Sequence, residues 1–152
     1  LYALRDESKT VLVRQHQHEP VEATKFLGAV QTSYARKNWS SLMLLNCAKC
    51  WQLTPHYVSN ASMLDLHQFR WIENDAEIGA LGEGWNHLVD YEPQHSAVRH
   101  VHYTKGGPYF REYARCGYSD EWFREYHSML NVDQLIPGAS SPRHRECEGE
   151  PV

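Results

Sequence analysis

The most restrictive feature of this sequence is a short, evenly apolar segment, WSSLMLLNC, at residues 39–47. It is too short and too evenly apolar for a surface helix, so it predicts a strand buried on both faces. Strands of that kind belong to parallel or mixed sheets that helices cover. The sequence therefore predicts an α/β protein in which a mixed sheet is flanked by helices.

Local patterns predict the remaining strands and the first helices. Strands are expected at 10–15, 85–91 and 96–103, the last two separated by a turn around Pro93. A helix is predicted at 21–30, ending near Gly28, and another at 53–64. This second helix has Thr54 at the N-cap and Pro55 at the first position, where a missing N–H costs nothing.

The second half of the chain shows one strong helical pattern. Residues 64–75 continue the preceding helix or begin another, and three glycines interrupt the pattern at 77–85. Residues 119–136 predict the clearest helix, with Ser119 as its cap and an apolar stripe that includes Trp122 and Tyr126. From Pro137 onwards the composition predicts a mobile tail, residues 137–152.

Composition and charge limit the class of protein. The 152 residues fit one domain, and the net charge of −4, with scattered lysines and arginines, disfavours a nucleic-acid partner. No apolar run approaches the ~20 residues that cross a bilayer, and residues 1–15 have no continuous apolar stretch of the kind expected in a signal peptide. Cys47 and Cys50 have C-x-x-C spacing without a second pair, so we expect reduced thiols and a cytoplasmic protein.

The segment VHYTKGGPYF, residues 101–110, carries the most specific chemistry. His102 at a strand end can offer a ring nitrogen to Zn²⁺ or Mn²⁺. Gly106 and Gly107 have no Cβ and leave their amides open to an anion, and Lys105 adds a positive charge. These groups fit a metal-bound diphosphate. The same residues also fit a plain turn beside a hydrogen-bonded core histidine.

The order of four segments resembles the C-terminal part of a bacterial GT-A type glycosyltransferase of the glycogenin and lipopolysaccharide galactosyltransferase group. The segments are KNWSSLMLLNC (37–47), LTPHYVSNASMLDLHQFRWI (53–72), GWNHLV (84–89) and VHYTKGGPYF. The resemblance covers residues 1 to about 127. It implies an incomplete GT-A-like three-layer fold over residues 1–136 that lacks the N-terminal nucleotide-binding half.

The resemblance also implies a function and a set of site residues. The protein would transfer a sugar from a nucleotide-sugar donor to an unknown acceptor with the help of Mn²⁺ or another divalent cation. His102 would bind the metal ion. The diphosphate and donor contacts would be Lys105, Gly106, Gly107, Asn38, Ser40 and Ser41. Asp65 and Gln68 would contact the donor sugar or the acceptor, although they are equally typical of a solvated helix surface. Asn86 either reaches this site or closes a turn.

The Asp-x-Asp metal motif of GT-A enzymes is not visible in the sequence. We therefore expect this chain alone to be inactive or barely active, and to form a homo-oligomer that covers the exposed sheet edge. Two alternatives remain open. The ten histidines, with pairs such as His16/His18 and His100/His102, fit a non-catalytic metal- or ligand-binding module. The second alternative is a non-catalytic scaffold protein that oligomerises.

Overall fold

The computed structural model describes the backbone of residues 1–132 and the side chains of residues 1–130. The chain divides into two compact units, Leu1–Gly117 and Tyr118–Val152. The predicted tail at 137–152 lies outside the described residues. Within those residues no helix is long and apolar enough to cross a membrane.

A mixed sheet of three strands lies in the first unit. Strand β1 (Val11–Val13) pairs antiparallel with β2 (Met43–Leu45) and parallel with β3 (Ile78–Ala80). A second sheet consists of two parallel strands, β4 (His87–Leu88) and β5 (Val101–His102). The prediction of an α/β protein with a mixed sheet is therefore confirmed. Both sheets are small.

The strand that is buried throughout is β1, the central strand, and not β2. All three residues of β1 are buried. In β2, an edge strand of this sheet, Met43 is 41% and Leu45 37% exposed. The prediction that residues 39–47 form a strand buried on both faces was therefore wrong, because an edge strand packs against fewer neighbours. Residues 39–41 form a 3-10 turn instead.

The apolar core forms where β1 and β3 pack against residues 69–72. Its buried members are Val11, Val13, Phe69, Trp71, Ile72 and Ile78. Four half-buried side chains pack against them: Trp39, Cys50, Leu53 and Tyr57. Burial of this aromatic and aliphatic surface is the main favourable term in folding this unit.

The helices follow the local start signals closely. Helix α1 (Pro55–Asn60) begins as predicted, and the Thr54 side chain accepts a hydrogen bond from the Tyr57 amide at 3.1 Å. Helix α2 (Met63–His67) is a separate element with Ser62 as its N-cap. It ends at His67 and does not continue to residue 75, because Phe69 takes a left-handed φ of 58° and enters the core.

Helix α3 (Ser119–Val132) is the only long helix among the described residues, and residues 133–136 of its predicted span lie outside them. Ser119 is its first helical residue, and the carbonyl of Tyr118 accepts a hydrogen bond from the Trp122 amide at 3.1 Å. The sequence predicted Ser119 as the residue before the helix, so the helix begins one residue earlier than expected. The Trp122 and Tyr126 rings stack at 5.2 Å on the predicted apolar stripe.

One other local prediction was wrong, and one strand was not predicted. Residues 21–30 are not a helix: they form an irregular hairpin with a bridge between Thr24 and Val30 and a 3-10 turn at Phe26–Gly28. The glycine-interrupted segment 77–85 contains β3. A Cβ at Gly79 would lie 2.3 Å from a Leu12 methyl group, so this glycine leaves room for the Leu12 side chain of the neighbouring strand and does not end a strand.

Candidate functional site

Two short stretches of chain line an open surface cavity of about 400 Å³ that we call the basic cavity. Its lining comes from residues 16–19, which follow β1, and from residues 33–37, which precede the 3-10 turn. The ionisable lining residues are His16, His18, Glu19, Arg36 and Lys37. Cations and imidazoles therefore outnumber the single carboxylate in this lining.

Two basic side chains of the basic cavity, Lys37 and His18, are partly desolvated and lie close to other basic groups. Burial lowers the pKa of Lys37, and the charge of Lys25 lowers it further. Burial also lowers the pKa of His18, with Lys37 as the next cause. The ammonium of Lys37 donates to the Thr32 carbonyl at 2.7 Å. A bound anion would relieve this repulsion, because an opposite charge nearby stabilises the charged form of a lysine.

Next to the basic cavity, Lys105 contacts Glu22 and Tyr91, two residues from other parts of the sequence. Its ammonium lies 2.5 Å from one carboxylate oxygen of Glu22 and 4.5 Å from the centre of the Tyr91 ring. The Tyr91 hydroxyl donates to the other Glu22 oxygen, also at 2.5 Å. The hydrogen bond from Lys105 is the main reason that the pKa of Glu22 falls to about 2, and the same bond raises the pKa of Lys105. The His18 ring meets the Tyr91 ring edge-on at 4.4 Å, which connects Lys105 to the basic cavity.

The glycine loop, residues 102–108, is packed beneath aromatic side chains. The Gly106 amide donates to the Tyr103 carbonyl at 3.2 Å, and a Cβ at Gly106 would lie 2.7 Å from the Tyr113 ring. A Cβ at Gly107 would lie 2.3 Å from the Tyr109 ring. The absence of Cβ atoms therefore allows these rings to pack on the loop. Contact of Gly106 and Gly107 with a diphosphate stays a prediction.

A buried polar network joins the glycine loop to the residues beside the basic cavity. Asn86, which is fully buried, donates to the Asn38 carbonyl at 2.9 Å and accepts from the Ser41 hydroxyl at 3.0 Å. The Thr104 hydroxyl lies 3.4 Å from the Asn38 side-chain oxygen. Asn38 follows Lys37 directly and has a left-handed φ of 66°. The predicted donor contacts Asn38 and Ser41 therefore lie close to the predicted diphosphate loop.

The other predicted contacts lie on the side of α2. The Ser40 hydroxyl is 2.7 Å from Nδ1 of His67, so it faces away from the Asn86 network. Asp65 and Gln68 are brought together by Arg70, which donates to Oδ1 of Asp65 at 3.0 Å and to Oε1 of Gln68 at 3.1 Å. Gln68 is buried. A side-chain hydrogen bond from Ser62 to the carboxylate is the main cause of the lowered pKa of Asp65. Their roles as sugar or acceptor contacts stay predictions.

The histidines near the site are held neutral by burial. Burial lowers the pKa of His102 to about 4, and its buried Nδ1 has no hydrogen-bond partner in the described part of the chain. Burial likewise lowers the pKa of His16 to about 4, although Glu92 opposes this shift. Among residues 1–130 no group of three or more histidine, cysteine, aspartate or glutamate side chains is arranged to hold a metal ion. The assignment of His102 as a metal ligand stays a prediction.

Several residues of this region gave no signal in the sequence. Glu92 accepts from the Leu88 amide at 2.9 Å and lies 3.5 Å from ring nitrogens of both His16 and His87. Glu22 and Tyr91 complete the Lys105 contact. Glu22 is 83 residues from Lys105 and 69 from Tyr91, so no local spacing relates them.

The fold and this site define an α/β protein with a cavity lined by cationic and imidazole side chains. The chain is similar to Protein CDI of Arabidopsis thaliana, with 41% identity over 130 residues that cover 80% of this chain and 49% of CDI. It thus spans about half the length of this curated relative. No family model matches the chain, and no solved structure matches it significantly.

These comparisons correct the family assignment made from the sequence. The similarity found is to a plant protein whose name states no activity, and no glycosyltransferase family matches. The predicted membership of the bacterial glycogenin and lipopolysaccharide galactosyltransferase group was therefore wrong. The four segments that suggested it are short, and their order alone does not define a family.

Proposed function

We propose that this chain binds a nucleotide-sugar through its diphosphate, as the donor-binding part of a longer sugar-transferring protein. The observation that supports the proposal is the ring contact of His18 with Tyr91, which connects Lys37 in the basic cavity to Lys105 on the other side of the Tyr91 ring. A diphosphate carries several negative charges, so it is a small-molecule group that binds through more than one positively charged side chain.

The size and lining of the basic cavity suit such a ligand. A volume of about 400 Å³ lies within the usual range for small-ligand pockets. The ring of Tyr34, 4.8 Å from the Lys37 ammonium, offers a flat surface for a nucleotide base. Asn38 and Ser41 lie beside the cavity and have the amide and hydroxyl groups that sugar hydroxyls require.

The chemistry that these residues would supply is electrostatic. When a sugar leaves a nucleoside diphosphate, negative charge develops on the departing phosphate oxygens. Lys37 and Lys105 would stabilise that charge. Asp65 and Gln68 remain the candidates for contact with the sugar or its acceptor. Because the chain spans about half of CDI, complete transfer activity is proposed for the longer protein only.

The predicted Mn²⁺ does not fit the described residues well. His102 has an orphaned ring nitrogen, which suits a metal ion, but the part of the chain that the structure describes offers no three-donor group around it. Hard cations such as Mn²⁺ prefer several oxygen ligands. No step of the proposal therefore depends on a metal ion. A GT-A-like three-layer arrangement and a homo-oligomer also stay predictions.

Titration calorimetry with uridine diphosphate, without and then with Mn²⁺, tests the proposal. We expect the wild-type chain to bind, and Lys37→Met and Lys105→Met each to weaken binding by about tenfold or more, since each removes a charged phosphate contact. Lys49→Met is the matched control, because it also breaks a lysine–glutamate pair, with Glu77 at 3.8 Å, away from the site. Absence of wild-type binding, or equal weakening by the control, would contradict the proposal.

A further inference from the structure

We propose that Glu22 occupies the position of a phosphate oxygen on Lys105, and that a phosphate-bearing ligand must displace it to bind. The proposal rests on the function proposed above and adds a regulatory element to the same site. Glu22 belongs to a segment that we call the strap, residues 19–31. In the ligand-free protein the strap would be closed over the Lys105 end of the site.

The contacts of Glu22 are those that a phosphate would make. One carboxylate oxygen accepts from the Lys105 ammonium and the other from the Tyr91 hydroxyl, both at 2.5 Å. Phosphate also presents adjacent anionic oxygens that accept charge-assisted hydrogen bonds from such donors. Ligand and Glu22 would compete for the same two donors, because a lysine ammonium engaged at this distance is not available to a second anion from the same side.

The strap is attached to the glycine loop at a second point. The Phe26 amide donates to the Lys105 carbonyl at 2.9 Å, and the Phe26 ring stacks on Phe110 at 5.1 Å. Two hydrogen bonds close the strap on itself: Lys25 amide to Ala29 carbonyl at 2.8 Å, and Gln31 amide to Ala23 carbonyl at 2.9 Å. The strap is therefore a small hairpin closed by its own backbone hydrogen bonds.

Little apolar burial holds the strap in place. Val21 is 86%, Leu27 80% and Val30 74% exposed. Leu27 also has a left-handed φ of 54°, which is uncommon for a residue with a Cβ. The Glu22–Lys105 pair is itself accessible, with side chains 43% and 22% exposed. Since exposed pairs are weak, a ligand with more than one negative charge can replace Glu22.

The consequence is a measurable penalty on ligand affinity. If Lys105 is engaged by Glu22 most of the time, the apparent affinity equals the intrinsic affinity multiplied by the fraction of molecules in which Lys105 is available. Removing the charge of Glu22 should therefore tighten binding. From the strength of a typical exposed pair we expect a gain of about fivefold.

The experiment compares uridine diphosphate binding to the wild type, Glu22→Gln and Glu73→Gln by calorimetry at one salt concentration. Glu73→Gln is the matched control, because it removes the same charge from an exposed carboxylate elsewhere on the surface, one that accepts a hydrogen bond from Gln52 at 3.2 Å. Glu22→Gln should bind about fivefold more tightly and Glu73→Gln should match the wild type. Tryptic cleavage after Lys25, followed by mass spectrometry, gives a second readout: uridine diphosphate should accelerate it in the wild type.

The outcomes separate the two proposals. Wild-type binding with a tighter Glu22→Gln variant and ligand-accelerated cleavage supports both. Wild-type binding with an equal or weaker Glu22→Gln variant overturns the role of Glu22 and leaves the proposed function standing. Absence of binding by the wild type and by Glu22→Gln overturns the proposed function and this inference with it.

Discussion

The buried imidazole of His16 should make the stability of this protein fall steeply in mild acid. Its side chain is 1% exposed, and burial lowers its pKa to about 4 in the folded state. In the unfolded chain a histidine has a pKa of about 6.5. Between these two values the unfolded chain binds a proton that the folded protein does not. Stability is therefore lost as the pH falls from 6.5, and the loss levels off below 4.

The size of the effect follows from the two pKa values. Each pH unit in that window removes about 1.4 kcal/mol per histidine, so His16 alone should cost about 2 kcal/mol between pH 7 and pH 5. His102, with a pKa also lowered to about 4 by burial, should add a similar amount. A total of about 4 kcal/mol is a large part of the free energy of unfolding of an ordinary domain.

Urea unfolding at pH 7 and pH 5 measures this difference directly. His16→Gln should retain only the part of the pH dependence due to other groups, and so lose about 2 kcal/mol less than the wild type between these pH values. His56→Gln, which replaces an exposed imidazole on α1, is the control and should keep the wild-type pH dependence. If His16→Gln loses as much stability as the wild type between pH 7 and pH 5, the argument from burial is refuted.

Three further substitutions test the fold by urea denaturation. Asn86→Ala removes a fully buried amide that donates to the Asn38 carbonyl and accepts from the Ser41 hydroxyl, and should cost about 2 kcal/mol; no loss would contradict the network. Thr54→Ala removes the α1 cap and should cost about 1 kcal/mol, whereas Thr54→Ser should cost less. Gly79→Ala places a Cβ against the side chains of Leu12 and Lys9 and should cost about 1.5 kcal/mol; Gly82→Ala, which meets nothing within 4 Å, should cost markedly less.

Elements with local signals were predictable from the sequence. The β-branched run at β1 and the Thr54–Pro55 start of α1 each specify their structure within a few residues, and both formed as predicted. Strand β3 was missed because Gly79 weakens the strand pattern, although its close contact with Leu12 requires a glycine. The pairing of β4 with β5 in parallel also lacked a local signal, since it depends on the path of residues 89–100.

The segment 21–30 shows how contacts distant in sequence override local preference. Its composition allows a helix, but Glu22 and Phe26 bond to residues of the Tyr91 and Lys105 region, and these contacts hold the backbone in another conformation. Helix propensity differs by less than about 1 kcal/mol per residue for most side chains, so two tertiary contacts can outweigh the local preference for a helix.

The candidate site was only partly predictable for the same reason. Sequence analysis identified Asn38, Ser41 and Lys105, which the fold places around one region. It did not identify Lys37, because a lone surface lysine has no distinguishing pattern until the cavity around it is known. The short segments also suggested a family that the comparisons with known proteins contradict.

The most direct test of the central claim is a nuclear magnetic resonance titration of the lysine side chains with uridine diphosphate. If one diphosphate lies between the basic cavity and the glycine loop, the signals of Lys37 and Lys105 should shift together and give the same dissociation constant, while Lys49 should not shift. Shifts that give two different dissociation constants, or a shift at only one of the two lysines, would contradict a single diphosphate site.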